Sequence, residues 1–417
     1  MTERYQLRPI TPEEFNAYGE VSAQAFNDSS WAETGEQELL TFEFDRSLAA
    51  FDGDAIVGTA AAYSFRLTVP GGIADAAGVT FVSVLPSHRR QGILSAMMRQ
   101  QLADIAGRGE AIAALFSSES GIYGRYGYGC ASGQLRLTIR RGEGKLGPGG
   151  AGGRPGAVRL RTAPPARLLA ELAAVYDSVL PHRPGMTARD ERWWQSLLAD
   201  PESRRQGMST LTCLLAADDV GPRGYALYRT RSDWAEDALP AGLLFVRELM
   251  AGDAAATAAL WADLLTRDLI TEVVARQRPV DDPLLEMLAD RRRARAQLSD
   301  GLWIRLIDLK AALCQRRYSC PVDVVIEVTD ELLPANAGRW RLRCPGAADG
   351  AAASCERTTA AADIALPVAA LGAGYLGGTR LGALAAAGLI AELTDGALAG
   401  LSAAMFADPA PWCPMIF

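Results

Sequence analysis

The apolar and polar positions of the first 141 residues follow two periods in turn, which predict alternating strands and helices. Between 92 and 108, apolar residues such as Leu94, Met97 and Met98 recur every three or four positions, as on the buried face of a helix. A helix is also predicted at 12–26, and strands are predicted at 5–10, 48–51, 55–69, 78–85, 111–116 and 135–139. Hairpins followed by one β–loop–α–β unit indicate a mixed α/β sheet.

The rest of the chain divides into a short segment of unusual composition and two longer parts. Residues 142–156 are dominated by glycine and proline, which predicts a linker or flexible loop. Residues 157–300 again mix strand and helix patterns, whereas from 301 alternating strands lead to Ala- and Leu-rich helices that favour close packing. A chain of 417 residues is too long for one typical core. We therefore expect domains at 1–141, 157–300 and 301–417, joined in part by the segment 142–156.

Composition narrows the classes of function. With 49% hydrophobic and 22% charged residues, the chain has the balance of a globular protein. A net charge of −7 argues against a nucleic-acid partner and favours small cationic substrates. No apolar stretch is long enough to span a bilayer and the first residues lack the layout of a signal peptide, so we expect a cytoplasmic protein with no membrane partner. The seven cysteines include no C-x-x-C pair and His88 and His182 are the only imidazoles, so we expect reduced thiols and no metal site.

The strongest chemical signal lies where a predicted strand meets the predicted helix that follows it. Residues 86–92, with the sequence P-S-H-R-R-Q-G, form a short basic turn there. Such a turn points backbone N–H groups and the positive end of a helix at one spot, which suits a pyrophosphate. Arg89 and Arg90 add charge, and Gly92 allows a ligand to approach the backbone closely. The glycine spacing matches neither the Walker A nor the Rossmann pattern, which disfavours nucleoside triphosphates and nicotinamide cofactors.

This turn resembles the cofactor motif of the GNAT superfamily of N-acetyltransferases, R/Q-x-x-G-x-G/A. Arg89 and Gly92 match its first and fourth positions, whereas Leu94 departs from the sixth, where a small residue is usual. A second segment, 118–129, with the sequence S-E-S-G-I-Y-G-R-Y-G-Y-G, follows the next predicted strand. Together with V-x-V-x-P-x-H-R-R-x-G upstream and a final Phe417, it resembles the Eis (enhanced intracellular survival) family of multi-site aminoglycoside N-acetyltransferases.

The resemblance covers the whole chain and implies an α+β fold. It implies two tandem GNAT-like mixed α/β domains, the second of them degenerate, and a C-terminal domain similar to sterol carrier proteins. The segments 302–308 and 411–413 resemble that third domain. The second part has no Arg-Arg-x-Gly loop of its own, which favours a non-catalytic role. Members of the family assemble as hexamers, so a homo-oligomer is expected.

The resemblance also assigns functional residues. Tyr123 aligns with the general acid of the family and the carboxylate of Phe417 with its general base. The strand at 82–84 would hold the pantetheine of acetyl-CoA through backbone bonds, and the basic turn would hold the pyrophosphate. The residues assigned to acetyl-CoA are Val82, Ser83, Val84, Arg89, Arg90, Gln91, Gly92, Ile93, Leu94, Ser95, Ser118 and Glu119. The residues assigned to a small cationic amine are Phe26, Asp28, Trp31 and Phe81.

Several alternatives stay open at the level of the sequence. Apart from the resemblance, Tyr123, Tyr126 and Tyr128 are typical of aromatic residues that pack in a turn, and we expect the last two to be structural. The acceptor could be a lysine of a protein or peptide. A lipid carrier with a vestigial first domain is a further alternative, although the intact basic turn argues against it. Some relatives have an acid before the final Phe, where this chain has Ile416, so we expect weaker or narrower acetylation of aminoglycosides.

Overall fold

The computed structural model describes residues 4–147, 158–346 and 352–417, so residues 148–156 of the predicted linker lie outside the described residues. In chain order, the strands are β1 (Gln6–Arg8), β2 (Ser47–Asp52), β3 (Ala55–Val69), β4 (Gly72–Val84), β5 (Ile112–Phe116), β6 (Gly129–Cys130), β7 (Gly133–Arg140), β8 (Arg159–Ala163), β9 (Thr212–Ala217), β10 (Pro222–Arg231), β11 (Gly242–Ala251), β12 (Ile270–Pro279), β13 (Gln297–Asp300), β14 (Leu302–Leu306), β15 (Val322–Thr329), β16 (Gly338–Cys344), β17 (Ser354–Arg357), β18 (Ile364–Pro367) and β19 (Ala391–Glu392). The helices are α1 (Phe15–Phe26), α2 (Trp31–Leu39), α3 (Ile93–Gly107), α4 (Ser120–Tyr123), α5 (Leu169–Val179), α6 (Glu191–Leu198), α7 (Ala254–Thr266), α8 (Leu284–Met287), α9 (Leu309–Gln315), α10 (Val368–Gly374), α11 (Leu381–Ala386) and α12 (Ala397–Met405).

The chain divides into two compact units, each built from more than one stretch of sequence. Unit 1 comprises Met1–Ser132, Gly301–Pro411 and Ile416–Phe417. Unit 2 comprises Gly133–Asp300 and Trp412–Met415.

Unit 1 contains a seven-stranded sheet with the order β1-β2-β3-β4-β5-β14-β6. The hairpin predicted around residues 52–54 is confirmed: β2 and β3 are antiparallel, and Gly53 adopts a φ of 62° in the turn. Strand β4 begins six residues before its predicted start, because its ladder with β3 continues to Val69 and Gly72. The predicted amphipathic helix is α3, which packs Met97 and Met98 into the apolar core beside the sheet.

Unit 2 contains a second seven-stranded sheet with the order β13-β7-β12-β11-β10-β9-β8. Its connectivity matches that of the first sheet: β11 runs parallel to β12, with α7 between them in the sequence, as β4 runs parallel to β5 with α3 between them. In the first sheet, β14 comes from beyond residue 300, whereas β7 of the second sheet is continuous in sequence with the rest of unit 2. We expected β7 to close the first domain and β14 to open the third, but β7 pairs with β12, and β14 pairs with β5. The domain boundaries stay predictions, and strand pairing across long sequence separations accounts for this difference.

The C-terminal part of unit 1 forms a five-stranded sheet with the order β17-β16-β15-β18-β19, together with α9 to α12. The close packing expected of its small residues occurs at α10. A Cβ atom at Gly372 would lie 2.3 Å from the backbone oxygen of Ile304, and one at Gly129 would lie 1.9 Å from that of Ala369. Glycine at these two positions therefore lets α10 contact β14 and β6 directly.

Two further observations bear on the expectations from composition. Within the described residues, none of the helices has the length and apolar character needed to cross a membrane. All seven cysteines are free thiols.

Candidate active site

The carboxyl ends of β4 and β5 border an opening in the first sheet. The two strands pair in parallel over only three residues, from Ala76 and Ile112 to Gly78 and Ala114. Beyond this point, β4 has no strand partner on the β5 side among the residues that the structure describes. Strand β4 also contains a bulge, where residues 81 and 82 both oppose residue 60 of β3, with a φ of 52° at residue 81. Residues 83 and 84 pair with β3 on one side, and the backbone groups of 82–84 that face away from β3 are available to a ligand in the opening, apart from the Val84 oxygen, which accepts from Arg89.

The turn between β4 and α3 presents an uncapped helix end. Gly92 has a φ of 85°, no side chain caps α3, and a Cβ atom at Gly92 would meet no atom within 4 Å. The first N–H groups of a helix have no intrahelical acceptor, so they are free for an anion. Arg90 has no hydrogen-bond or ion-pair partner among the described residues. Arg89 donates only to two backbone oxygens, those of Val84 at 3.3 Å and Ala25 at 3.4 Å.

These elements border one cavity of about 680 Å³ in unit 1. The predicted site residues that line it are Phe26, Val82, Ser83, Val84, Arg89, Arg90, Gly92, Ile93, Leu94, Ser95, Ser118, Glu119 and Tyr123. Its other lining residues are Ala25, Asn27, His88, Ile122, Arg125 and Tyr126. Three arginines and a single carboxylate face this space, so it is suited to an anionic ligand.

Tyr123 lies at the end of the one-turn helix α4 and lines the cavity. Its ring packs edge-on against that of Tyr128, with 5.9 Å between the ring centroids. Burial, with smaller contributions from Tyr126 and Glu119, raises the pKa of Tyr123 to about 12. The phenol is therefore neutral at ordinary pH, and it can donate a hydrogen bond to a ligand.

Two of the predicted site residues, Gln91 and Asp28, do not line the cavity, and their side chains form hydrogen bonds with other residues of the chain. The Gln91 side chain accepts a hydrogen bond from the Tyr5 hydroxyl at 2.5 Å and donates to the backbone oxygen of Ser87 at 3.4 Å. The exposed Asp28 carboxylate accepts from both the N–H and the hydroxyl of Ser30, just before α2. These contacts stabilise a turn and a helix start.

Two aromatic residues predicted to contact substrate belong instead to a packed cluster between α1 and the sheet. The ring centroids of Trp31 and Phe81 lie 6.3 Å apart. Both rings pack against the apolar core that contains Phe15, Tyr18 and Phe42. The left-handed backbone at Phe81 accompanies the bulge in β4 and turns this side chain toward the core.

Phe417 lies against the first sheet, although it does not line the cavity. Its ring is 4.7 Å from that of Phe65 on β3 and 5.5 Å from that of Phe116, the last residue of β5. Phe116 is two residues before Ser118, which lines the cavity. The apolar contacts of the ring therefore fix this residue near the opening between β4 and β5.

In unit 2, side chains fill the corresponding opening between β11 and β12. The parallel ladder ends at Val246 and Ala275, and beyond it Arg278 Nη1 donates to the backbone oxygen of Leu249 at 2.7 Å. The Trp412 ring lies 5.3 Å from the Arg278 guanidinium, and its Nε1 donates to the backbone oxygen of Gln277 at 2.5 Å.

The helix end is occupied in unit 2 as well. The Asp253 carboxylate accepts from the N–H groups of Ala255 and Ala256 and so caps α7. The same carboxylate pairs with Arg223 at 2.8 Å. Because a side chain already occupies the N-terminal end of α7, this helix end is not available to a phosphate group as the end of α3 is.

Some of the lining residues were not among the predicted ones. Ala25 and Asn27 come from the end of α1, more than fifty positions before the basic turn, and no local pattern links them to it. Arg125 lies between the tyrosines of the quoted motif, and its guanidinium is 5.7 Å from the Tyr126 ring. The positive charge of Arg125, within a segment already linked to the site, is a sequence signal that could have predicted it as a lining residue.

Comparison with protein families identifies three regions. Residues 6–131 match an acetyltransferase (GNAT) domain, residues 185–306 match a second acetyltransferase (GNAT) domain, and residues 309–414 match a sterol carrier protein domain. The predicted fold class, with two GNAT-like domains followed by a sterol-carrier-like domain, is confirmed.

The chain also matches relatives along almost their whole length. The chain is 45% identical over 413 residues to an uncharacterized N-acetyltransferase of Streptomyces avermitilis, across 98% of each chain. It is 37% identical over 397 residues to the N-acetyltransferase Eis of Mycobacterium tuberculosis, across 93% of each chain. The crystal structure of Eis1 from Mycobacterium abscessus superposes with a TM-score of 0.83 at 33% identity, over 99% of this chain and 100% of that one.

Proposed function

The chain belongs to the Eis family of GNAT N-acetyltransferases, and on that premise we propose that it transfers the acetyl group of acetyl-CoA to amines of polycationic small molecules, aminoglycosides among them, at more than one position. N-acetyltransferase activity follows from the family. The choice of acceptor is the proposal.

The observation that carries the proposal is the match between the cavity of unit 1 and the two ends of a CoA thioester. The uncapped end of α3, with Arg90 unpaired beside it, suits a pyrophosphate. The backbone groups of 82–84 on the side away from β3 suit an extended pantetheine amide chain. Acetyl-CoA supplies the activated acyl group, and the residues of this chain bind and orient it.

Tyr123 is the proposed donor to the leaving sulfur. A thiol has an ordinary pKa of about 8.5, so a phenol with a pKa raised to about 12 is the weaker acid of the two. Complete proton transfer to a free thiolate is therefore uphill, and a hydrogen bond to the sulfur as negative charge develops is the role we propose. Backbone N–H groups near the bulge at 81–82 would stabilise the oxyanion.

The carboxylate of Phe417 is the proposed base, on the resemblance to the family. A carboxylate is a weak base toward an ammonium group, so it would act through water or by orienting the ammonium ion. The ring contacts with Phe65 and Phe116 support a fixed position for this residue.

The residue before the proposed base is Ile416, whose side chain is uncharged and 60% exposed. Because Ile416 brings no charge where some relatives have an acid, we propose that acetylation of aminoglycosides is weaker, or restricted to fewer amines, than in those relatives.

The test is mass spectrometry of aminoglycosides, polyamines and lysine peptides after incubation with acetyl-CoA and the full chain without a C-terminal tag. Mass gains of one or more acetyl groups on the small amines support the proposal, and their number measures how many amines reach the thioester. Transfer to peptides alone would replace the acceptor class by protein lysines. Transfer to none of the amines would contradict the proposal, and undiminished transfer to several aminoglycoside amines would contradict the predicted role of Ile416.

A further inference from the structure

Tyr123 belongs to a compact segment, 123–128, that turns back on itself. The N–H of Tyr128 donates to the backbone oxygen of Tyr123 at 3.3 Å, and the N–H of Gly127 donates to that of Gly124 at 3.0 Å. The edge-on contact of the two tyrosine rings adds a side-chain link. The position of the Tyr123 hydroxyl therefore depends on how this turn is supported.

The support comes from β14, about 180 residues later in the sequence, which lies between β5 and β6 in the sheet. Arg305 on β14 is fully buried. Its Nη2 donates to Asp330 Oδ1 at 2.7 Å, and its Nη1 donates to the backbone oxygen of Leu306 at 3.0 Å. Burial raises the pKa of Tyr128, and the nearby charge of Arg305 opposes that rise. The guanidinium is thus a fixed charge close to the tyrosine turn.

Asp330 and Asn336 complete the cluster around this charge. Asp330 Oδ1 also accepts from the N–H groups of residues 332 and 333. Asn336 Nδ2 donates to Asp330 Oδ2 at 3.0 Å, while its Oδ1 accepts from the N–H of Leu309 at 3.0 Å. A buried ion pair with its acceptors satisfied in this way is strongly resistant to displacement, because any shift leaves a buried charge unpaired.

Gly127 connects the turn to the cluster. It has a φ of 81°, and a Cβ atom there would lie 2.7 Å from Arg305 Nε and 2.8 Å from Arg305 Cζ. Both the left-handed backbone and the lack of space require glycine. The backbone of the turn therefore rests directly on the guanidinium group.

We propose that Arg305, held by Asp330, is a positioning residue for acetyl transfer, since it supports the Gly127 turn and thereby fixes the Tyr123 hydroxyl at the cavity. The inference rests on the proposed role of Tyr123. Arg305 does not line the cavity, so its replacement changes the reaction step more than the binding of acetyl-CoA.

The first experiment compares Gly127→Ala and Arg305→Lys with the unmodified full chain. Each variant lowers kcat by about 100-fold, because a displacement near 1 Å at a reacting group costs that much. The calorimetric Kd for acetyl-CoA rises by no more than about fivefold, the change expected if the Ser95–Tyr126 contact is also lost. Gly109→Ala is the matched control. Gly109 has a φ of 78°, but a Cβ atom there would meet no atom within 4 Å, so it tests backbone strain without contact and leaves kcat unchanged.

The second experiment repeats both substitutions in a Tyr123→Phe background. If Arg305 acts through the Tyr123 hydroxyl, the further loss of kcat in that background is at most about threefold, whereas a general effect on folding lowers kcat by the same factor in both backgrounds. Equal factors overturn the inference, as does a rise in the Kd for acetyl-CoA as large as the loss of kcat.

The two proposals fail in different ways. If Tyr123→Phe is as active as the unmodified chain, the proposed positioning role of Arg305 is contradicted, whereas the proposed acetyl transfer is not. If the unmodified chain transfers acetyl groups to no amine, the proposed function falls.

Discussion

The hydroxyl groups of Ser95 and Tyr126 lie 3.1 Å apart, and this contact joins the first turn of α3 to the segment that carries Tyr123. Ser95 and Tyr126 both line the cavity. The helix end proposed for the pyrophosphate is therefore connected by one hydrogen bond to the turn that carries Tyr123, the phenol proposed for the thioester end. The two bonded residues are 31 positions apart in the sequence.

Replacement of Ser95 by alanine removes this hydrogen bond. A neutral hydrogen bond contributes about 1 kcal/mol, so we expect the Kd for acetyl-CoA to rise by about fivefold in Ser95→Ala, as measured by calorimetry. Ser178→Ala is the control, since the Ser178 hydroxyl donates to the backbone oxygen of Val175 at 2.7 Å in unit 2 and does not line the cavity. Equal affinity in the two variants would show that the contact has no part in binding.

Arg90→Gln removes a cation that has no partner within the described residues. A charge-assisted hydrogen bond contributes about 1.5–3 kcal/mol, so we expect the Kd for acetyl-CoA to rise by about 10- to 100-fold, with a weaker dependence on salt. Arg99→Gln on the exposed side of α3 is the matched control, because Arg99 does not line the cavity. A similar loss in both variants would point to net charge and not to a specific site.

The pH dependence of kcat should show no loss of the Tyr123 proton in the ordinary range. Burial raises the pKa of Tyr123 to about 12, above its usual value of about 10, so the phenol keeps its proton until the pH approaches 12. We therefore expect kcat to stay level between about pH 8 and pH 10, measured with a thiol-detecting assay corrected for thiol ionisation. A fall in kcat in this range that disappears in Tyr123→Phe would contradict the raised pKa.

Arg316→Met should destabilise the C-terminal part of unit 1. The buried guanidinium donates to the backbone oxygens of Tyr375 at 2.6 Å and Met405 at 2.7 Å, at the ends of α10 and α12. Leaving these acceptors unpaired should lower the free energy of unfolding by about 3 kcal/mol, measured by chemical denaturation. The neighbouring and exposed Arg317, replaced by Met as a control, should change it by less than about 0.5 kcal/mol. Equal stability of both variants would contradict the capping role.

The sequence predicted the elements that carry their own local signal. The period of apolar positions predicted helix α3, the turn at Gly53 predicted the hairpin of β2 and β3, and the basic turn before α3 predicted Arg89, Arg90 and Gly92 as residues of the cavity. Asp28 and Trp31 were assigned to substrate by resemblance, and these assignments stay predictions: the Asp28 carboxylate accepts from the N–H and the hydroxyl of Ser30, and the Trp31 ring packs against an apolar core. An aromatic side chain gives no sign in the sequence of whether its ring is packed or exposed.

By itself, the sequence determined the family, the order of the domains and the basic turn, because a strand, a glycine and a helix in succession create an anion site from adjacent residues. Only the tertiary structure decided which residues support the Tyr123 turn and which side chains fill the opening between β11 and β12 in the second sheet. Strand β14 reaches the first sheet from beyond position 300, and Trp412 and Arg278 fill the opening in the second. Such contacts depend on strand order and on the close approach of residues far apart in the chain, and the local pattern of apolar and polar positions does not record either of them.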